Sequence, residues 1–200
     1  MANEYADLAT MKNSLNIQTS DTTSDALLNR ALTSASRSID ATCGRRFWLD
    51  PAPVARTYRL RGRVVCEDDG EVLLTDDIGT AAGLTVETGA AGNWTATTNY
   101  ETSPDNALAD GRPVTGLLRA NGMWGTGLST ARVRVTARWG WPTVPDDIAQ
   151  AALIQALRLY RRKDSPEGVT GSAEWGVVRL SRRDPDVWAL IESYIAHGFG

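Results

Sequence analysis

The spacing of apolar residues changes twice along this chain of 200 residues, and these two changes constrain the fold most. Near both termini the apolar residues recur every three or four positions, which is typical of helices, whereas the middle of the chain alternates as strands do. The clearest strand is Arg132–Trp139, whose apolar residues all face one side, with arginines and a threonine on the other. Short strands separated by glycine-rich turns predict an antiparallel sheet or a small barrel.

We therefore predict an α+β fold in which a small α-helical bundle carries an inserted antiparallel β-rich sheet or barrel. Residues 1–55 and 142–200 form the helical core in this prediction, and residues 56–141 form the β-rich insert. Gly44 is expected to end the second helix in a left-handed conformation. The last helix is expected over Asp184–Ala196, with a capping aspartate followed by a proline in its first turn.

Two apolar runs of the insert, Glu71–Leu74 and Leu84–Thr88, are predicted as separate strands. Asp68-Asp69-Gly70, which precedes the first run, has the composition of a hairpin turn. A loop or a short hairpin is expected at Val169–Leu180, between the third and fourth helices.

The chain offers little of the chemistry that an enzyme needs. Its one histidine, His197, lies near the end of the last predicted helix, where we expect a surface side chain rather than a triad member. Asp68-Asp69, Asp76-Asp77 and Asp146-Asp147 are carboxylate pairs that could bind a hard cation, but the first has the position of a turn and the third of a helix start. We predict no enzymatic activity, no catalytic residue, no cofactor and no metal site.

Cys43 and Cys66 are too few for a disulfide framework, and both are expected to be small apolar residues of the core. No run of about 18 apolar residues occurs, and the N-terminus lacks a basic segment followed by an apolar one. We therefore expect neither a membrane span nor a secretory signal, and a reduced, cytoplasmic origin.

Charge is segregated along the chain. Residues 64–111 contain ten acidic residues and no lysine or arginine, whereas the segments on either side carry net charges of +3 and +4. A segment whose charges all have one sign gives information about binding partners rather than about the fold. The alternating arginines Arg59, Arg61 and Arg63 could meet nucleic acid or, equally, the acidic block of a neighbouring chain.

Several short motifs follow one another in the C-terminal half of the chain. They are Trp139-Gly140-Trp141-Pro142, Val144-Pro145-Asp146-Asp147-Ile148, Asp164-Ser165-Pro166-Glu167-Gly168, Arg179-Leu180-Ser181 and Asp184-Pro185-Asp186-Val187. Together with the helical pattern of Leu8–Phe47, they resemble the head-tail connector (adaptor) proteins of long-tailed bacteriophages. The resemblance covers both ends of the chain and leaves the β-rich insert out.

The resemblance implies a virion structural protein that is assembled in the host cytoplasm and resides in the virion neck. Such adaptors form a closed ring, usually of twelve copies, that docks beneath the portal protein and lets DNA pass through its channel. The expected partners are further copies of the chain, the portal protein, a stopper or tail completion protein on the tail side, and transiently the passing DNA. No membrane is expected among them.

The resemblance also assigns the portal contact to the C-terminal helix, although each of its residues could instead pack on its own bundle. The candidates are Asp184, Val187, Trp188, Ile191 and Tyr194.

A closed ring needs two complementary faces on each copy, and segregated charge can provide them. The candidates for contacts between subunits are Arg59, Arg61, Arg132 and Arg134 on one side and Asp68, Asp69, Asp76 and Asp77 on the other. Alternatively, the acidic residues line the channel, where like charge would keep DNA from adhering.

Two other functions fit the sequence. The seven tryptophans could belong to a carbohydrate- or peptide-binding β module with helical flanks. The chain could also form another ring of the neck, such as a stopper or a tail terminator.

Overall fold

The computed structural model describes residues 3–90, 92–125, 131–162, 169–170, 178–179 and 184–196. Within these ranges the chain forms four α-helices and a seven-stranded antiparallel sheet, which confirms the α+β class. Two compact units are present, one built from residues 1–45 and 144–196 and the other from residues 46–143. None of the helices in the described ranges is both long enough and apolar enough to cross a membrane.

The first boundary between the units lies ten residues earlier than the predicted start of the insert. The cause is the segment Arg46–Asp50, which binds the end of the last sheet strand. The Asp50 amide donates to the Trp139 carbonyl at 2.8 Å, and Arg138 Nε donates back to the Asp50 carbonyl at 2.7 Å.

The helical unit contains four helices in its described residues. They are α1 (Leu8–Ser14), α2 (Asp25–Cys43), α3 (Asp146–Arg161) and α4 (Pro185–Ile191), the last followed by a 3₁₀ turn at Glu192–Tyr194. Gly44 ends α2 with a φ of 66°, as predicted. The apolar stripes of α1, α2 and α3 share one core that contains Met11, Leu28, Leu32, Ala35, Leu153 and Ala156.

The last helix is shorter than predicted. Its α-helical part ends at Ile191, and Ile195 is extended, so that the Ala196 amide donates to the Cys43 carbonyl at 2.7 Å. This long-range hydrogen bond replaces the next helical one, and no local signal in the sequence announces it. The predicted surface residue His197 lies outside the described residues. The hairpin expected at Val169–Leu180 is present as two short paired strands.

The sheet unit contains seven strands. They are β1 (Val54–Arg59), β2 (Val64–Glu67), β3 (Gly70–Ala90), β4 (Asn93–Thr97), β5 (Glu101–Ser103), β6 (Val114–Ala120) and β7 (Arg132–Trp139). The main path runs in the order β1-β7-β3-β6-β5, and β2 and β4 also pair with β3. Every one of these pairings is antiparallel.

Strand β3 organises this unit. The two runs predicted as separate strands are one strand of 21 residues, because irregular pairing between Leu74 and Thr85 carries the chain through without a turn. The first part of β3 pairs with β2 and β6, and the last part pairs with β7 and β4. Bulges of this kind bend a strand and increase its twist. Both parts therefore contribute to one core, which includes Tyr58, Leu73, Ile78, Val86, Leu117, Trp124, Val133, Val135 and Trp139.

Candidate interaction surfaces

The β1–β7 pair presents arginines on its outer side. In β7, Val133, Val135, Ala137 and Trp139 are buried and alternate with half-buried residues, which confirms the predicted alternation. Register places Arg59 directly opposite Arg132, and the buried Tyr58 opposite Val133. Because directly opposed residues of an antiparallel pair project to the same side, Arg59 and Arg132 lie together on the outer face.

Two like charges in this arrangement repel each other. Arg59 and the following Arg61 are exposed, and neither forms an ion pair with any part of the chain that the structure describes. The Arg132 guanidinium donates to the neighbouring Ala131 carbonyl at 3.3 Å. We call Arg59, Arg61 and Arg132 the basic patch.

Arg134 has partners in its own chain. Its Nε and Nη2 atoms donate to the two carboxylate oxygens of Glu87 at 2.6 and 2.8 Å, and its guanidinium lies 4.6 Å from the centre of the Trp94 ring. These hydrogen bonds hold the pKa of Glu87 below its ordinary value, because they favour the charged carboxylate. Arg134, a residue predicted to contact a neighbouring subunit, is thus paired within its own chain.

Acidic side chains gather at the turn between β2 and β3. Glu67 pairs with Gly70, so that Asp68 and Asp69 form the predicted turn. Glu67, Asp68 and Asp69 are exposed, and none has an ion-pair partner among the described residues. We call these three residues the acidic tip. The cation beside it on β6, Arg119, has its guanidinium 5.6 Å from the centre of the Trp124 ring.

The other two predicted acidic candidates have partners inside the sheet unit. Asp76 accepts hydrogen bonds from Arg56 at 2.6 Å and from the Tyr58 hydroxyl at 3.1 Å. Burial of Tyr58, and then the charge of Asp76, raise the pKa of this hydroxyl, so it stays protonated and can donate. Asp77 accepts a hydrogen bond from Trp141 Nε1 at 3.1 Å.

The residues predicted to contact the portal lie on or beside α4. Asp184 caps this helix by accepting from the Val187 amide at 3.4 Å, and it forms an ion pair with Arg158 at 3.3 Å. Val187 and Ile191 are buried within the helical unit. The structure therefore gives these three candidates a role in packing or capping their own bundle.

Trp188 and Tyr194 keep part of their surface accessible. Trp188 lines a shallow groove of about 110 Å³ together with residues of α2 and α3. The Tyr194 hydroxyl donates to Asp147 Oδ2 at 3.2 Å. These two aromatic side chains are the portal candidates that the helical unit leaves half-exposed.

The two cysteines differ. Cys43 is buried as predicted, and burial raises the pKa of its thiol to about 11. Cys66 is exposed, so the prediction of a core residue was wrong. Its strand β2 pairs on one side only in the described sheet, and three of its four residues face solvent.

Three of the described tryptophans are buried, and none of them is fully exposed. Trp124, Trp139 and Trp141 are buried, whereas Trp48 lies 4.1 Å from the Arg46 guanidinium. The described residues also contain no group of three or more histidine, cysteine, aspartate or glutamate side chains that could hold a metal ion.

Two buried charged residues, Lys12 and Asp50, were not predicted from the sequence. Lys12 is 2% exposed, and its ammonium forms an ion pair with Asp25 at 2.5 Å and donates to the carbonyls of Thr19 and Asp21. Asp50 is 7% exposed and forms an ion pair with Arg46 at 2.5 Å. The one available signal was that Lys12 is the only lysine in the first 162 residues of an arginine-rich chain.

No protein-family model matches this sequence, and no curated protein matches it. The chain is similar in structure to a chain in the neck of an empty GTA particle computed with C6 symmetry, with a TM-score of 0.58 and 20% identity over 99% of this chain and 93% of that one. It is also similar to a chain in the virion of the native gene transfer agent (GTA) particle, with a TM-score of 0.50 and 20% identity over 96% and 92% of the two chains. At this identity the likeness shows a common fold, which includes both the helices and the sheet.

Proposed function

We propose that this protein is a structural component of the neck of a phage-like virion. The observation that carries the proposal is the similarity of fold to a chain in the neck of a GTA particle, over nearly the full length of both chains. The ordered motifs at the two ends of the sequence point independently to the same class of protein. We infer a structural role rather than catalysis.

Within the neck, we assign the chain to the adaptor ring, which joins the portal to the tail and lets DNA pass. The support is the resemblance of its helical ends to adaptors, together with its charge distribution. Copies of the chain form the closed ring, usually of twelve in adaptors. The portal lies on one side of this ring, and a stopper or tail completion protein lies on the other.

The portal contact is assigned to the α4 region. Trp188, which lines a shallow groove, and Tyr194 supply half-exposed aromatic surface, and aromatic side chains are common anchors of protein interfaces. Asp184, Val187 and Ile191 support this surface from below, since they cap the helix or are buried under it.

The arrangement of tryptophans argues against a carbohydrate-binding module. Such a module stacks sugar rings on exposed aromatic faces, whereas Trp124, Trp139 and Trp141 are buried and the Trp94 face is covered by Arg134. Another ring of the same neck, a stopper or a tail terminator, remains the nearest alternative, and the position of the chain in the particle distinguishes the two.

Removing the gene from cells that produce the particle tests the proposal. We expect DNA-filled heads and free tails that do not join, and restoration of tailed particles when the wild-type chain is supplied. Localisation of the chain directly beneath the portal by electron microscopy of restored particles would support the adaptor assignment over a stopper. Normal tailed particles in the absence of the chain would overturn the proposal.

A further inference from the structure

We propose that the acidic tip of one copy (Glu67, Asp68 and Asp69) binds the basic patch of the next copy (Arg59, Arg61 and Arg132). This inference rests on the proposed function, because it describes how the ring closes. It assigns the contact to two places in the sheet unit, the part of the chain that resemblance to adaptors leaves out.

Five of the six side chains in the two surfaces carry charge that is not neutralised within the described part of the chain. Glu67, Asp68 and Asp69 are exposed, and so are Arg59 and Arg61. No ion pair in the described part of the chain involves any of these five side chains.

The charges within each surface also repel one another. Three consecutive carboxylates crowd the β2–β3 turn, and the exposed Arg59 and Arg61 lie two residues apart. Neighbouring like charges repel each other, so a partner of opposite charge stabilises each surface.

The fold keeps the two surfaces apart within one chain. The acidic tip adjoins Gly70, at the beginning of β3, whereas Gly89, near the end of β3, pairs with Arg132. Strand β2 carries the tip away from Arg61, and its four residues alone span roughly 10 Å at about 3.3 Å per residue. Two complementary surfaces that form no ion pair with each other inside one copy can form a head-to-tail contact between copies, and repetition of such a contact closes a ring.

A second copy fits the basic patch better than nucleic acid does. The chain itself supplies an exposed acidic surface, whose three carboxylates complement the exposed guanidinium groups of Arg59 and Arg61. Arginine is also well suited to paired contacts with carboxylates.

Charge reversal tests the contact with two variants of the full chain. R59E/R61E makes both surfaces negative, and D68R/D69R makes both positive, so neither variant should associate with itself. Each variant has one surface that complements the other variant. An equimolar mixture should therefore assemble, and the quadruple variant, in which both surfaces are reversed, should form rings by itself but none with the wild type.

The measurement is native mass spectrometry with negative-stain electron microscopy, at protein concentrations where the wild-type chain forms rings. We expect each double variant to lose association by at least about tenfold, and the mixture to recover it. The matched controls R30E/R112E and D105R/D110R change net charge equally at exposed positions and should assemble as the wild type does. Assembly of the mixture also shows that both variants are folded.

Three results would overturn the inference. Unchanged rings in both double variants would show that the contact lies elsewhere, as would failure of the mixture to assemble. Loss of DNA binding in R59E/R61E, with its rings intact, would instead assign the basic patch to nucleic acid. A wild-type chain that forms no ring, alone or with the portal, would contradict the proposed function rather than the charge contact alone.

Discussion

Gly140 shows at the scale of one residue why a motif of the sequence has its composition. Its φ is +114°, and a Cβ added there would lie 1.9 Å from the Trp48 carbonyl oxygen. The flanking Trp139 is fully buried, and Trp141 packs on Phe47 with ring centres 5.3 Å apart. The motif Trp139-Gly140-Trp141-Pro142, one of those that resemble adaptors, therefore packs the segment around Trp48 against the end of β7.

Gly140→Ala is expected to lower the free energy of unfolding by about 3 kcal/mol or more, because both the backbone conformation and the contact with Trp48 oppose a side chain. Urea unfolding followed by tryptophan fluorescence measures the loss. Gly111→Ala is the matched control, since Gly111 also has a positive φ, of 70°, but no atom within 4 Å of an added Cβ. Gly111→Ala should lower the free energy of unfolding by only about 1 kcal/mol. Equal losses in the two variants would contradict the explanation.

Residues whose environment depends on local pattern were predictable, and those that depend on distant partners were not. The alternation of Arg132–Trp139 was confirmed because one face of the sheet is buried along the whole strand. Lys12 is buried because the segment after α1 folds back and offers it the carbonyls of Thr19 and Asp21. Cys66 follows two valines, yet it lies on a strand that pairs on one side only in the described sheet.

At the scale of elements, Lys12 joins α1 to the segment that leads into α2. Lys12→Met keeps the apolar length of the side chain but leaves Asp25 and two carbonyls without their cation. We expect the free energy of unfolding to fall by about 3 kcal/mol, as is usual when one partner of a buried ion pair is removed. Thermal unfolding monitored by circular dichroism provides the test. Arg30→Met, at an exposed position of α2, should change the midpoint little, and equal effects would refute this role for Lys12.

The Glu87–Arg134 pair joins β3 to β7 and gives stability a defined pH dependence. Its carboxylate has a lowered pKa when folded, so it favours folding above the unfolded value of about 4.3, and this contribution is lost as the pH falls through the lower folded value. Glu87→Gln should thus lower the melting temperature at pH 7, and the difference from wild type should shrink as the pH falls below the unfolded value and disappear below the folded one. Glu101→Gln, at an exposed position without an ion pair in the described chain, serves as the control. A difference independent of pH would exclude the ionic contribution.

Strand β3 marks the limit of local prediction for elements. Its two apolar runs were visible in the sequence, but the residues between them look like a connection rather than a strand. They stay in the sheet because Ile78 pairs with Val114 of β6 and also with Trp139 of β7. Such pairing joins residues 36 and 61 positions apart, which no short window of sequence contains.

For the whole molecule, the α+β class could be predicted because the spacing of apolar residues changes at both ends of the sheet. The sequence predicted which charged residues are candidates for the interaction surfaces, but not which of them are exposed. Of the eight charged candidates, Arg132, Arg134, Asp76 and Asp77 have partners inside the chain, whereas Arg59, Arg61, Asp68 and Asp69 are exposed. The charges can be read from the sequence, but the pairing of strands decides which of them remain exposed.

We propose that copies of this chain form a ring in the neck of a phage-like particle, and electron microscopy of the purified chain mixed with its portal protein tests this proposal. We expect closed rings with an open central channel, stacked coaxially on the portal. A chain that stays monomeric at every concentration and never associates with the portal would contradict it.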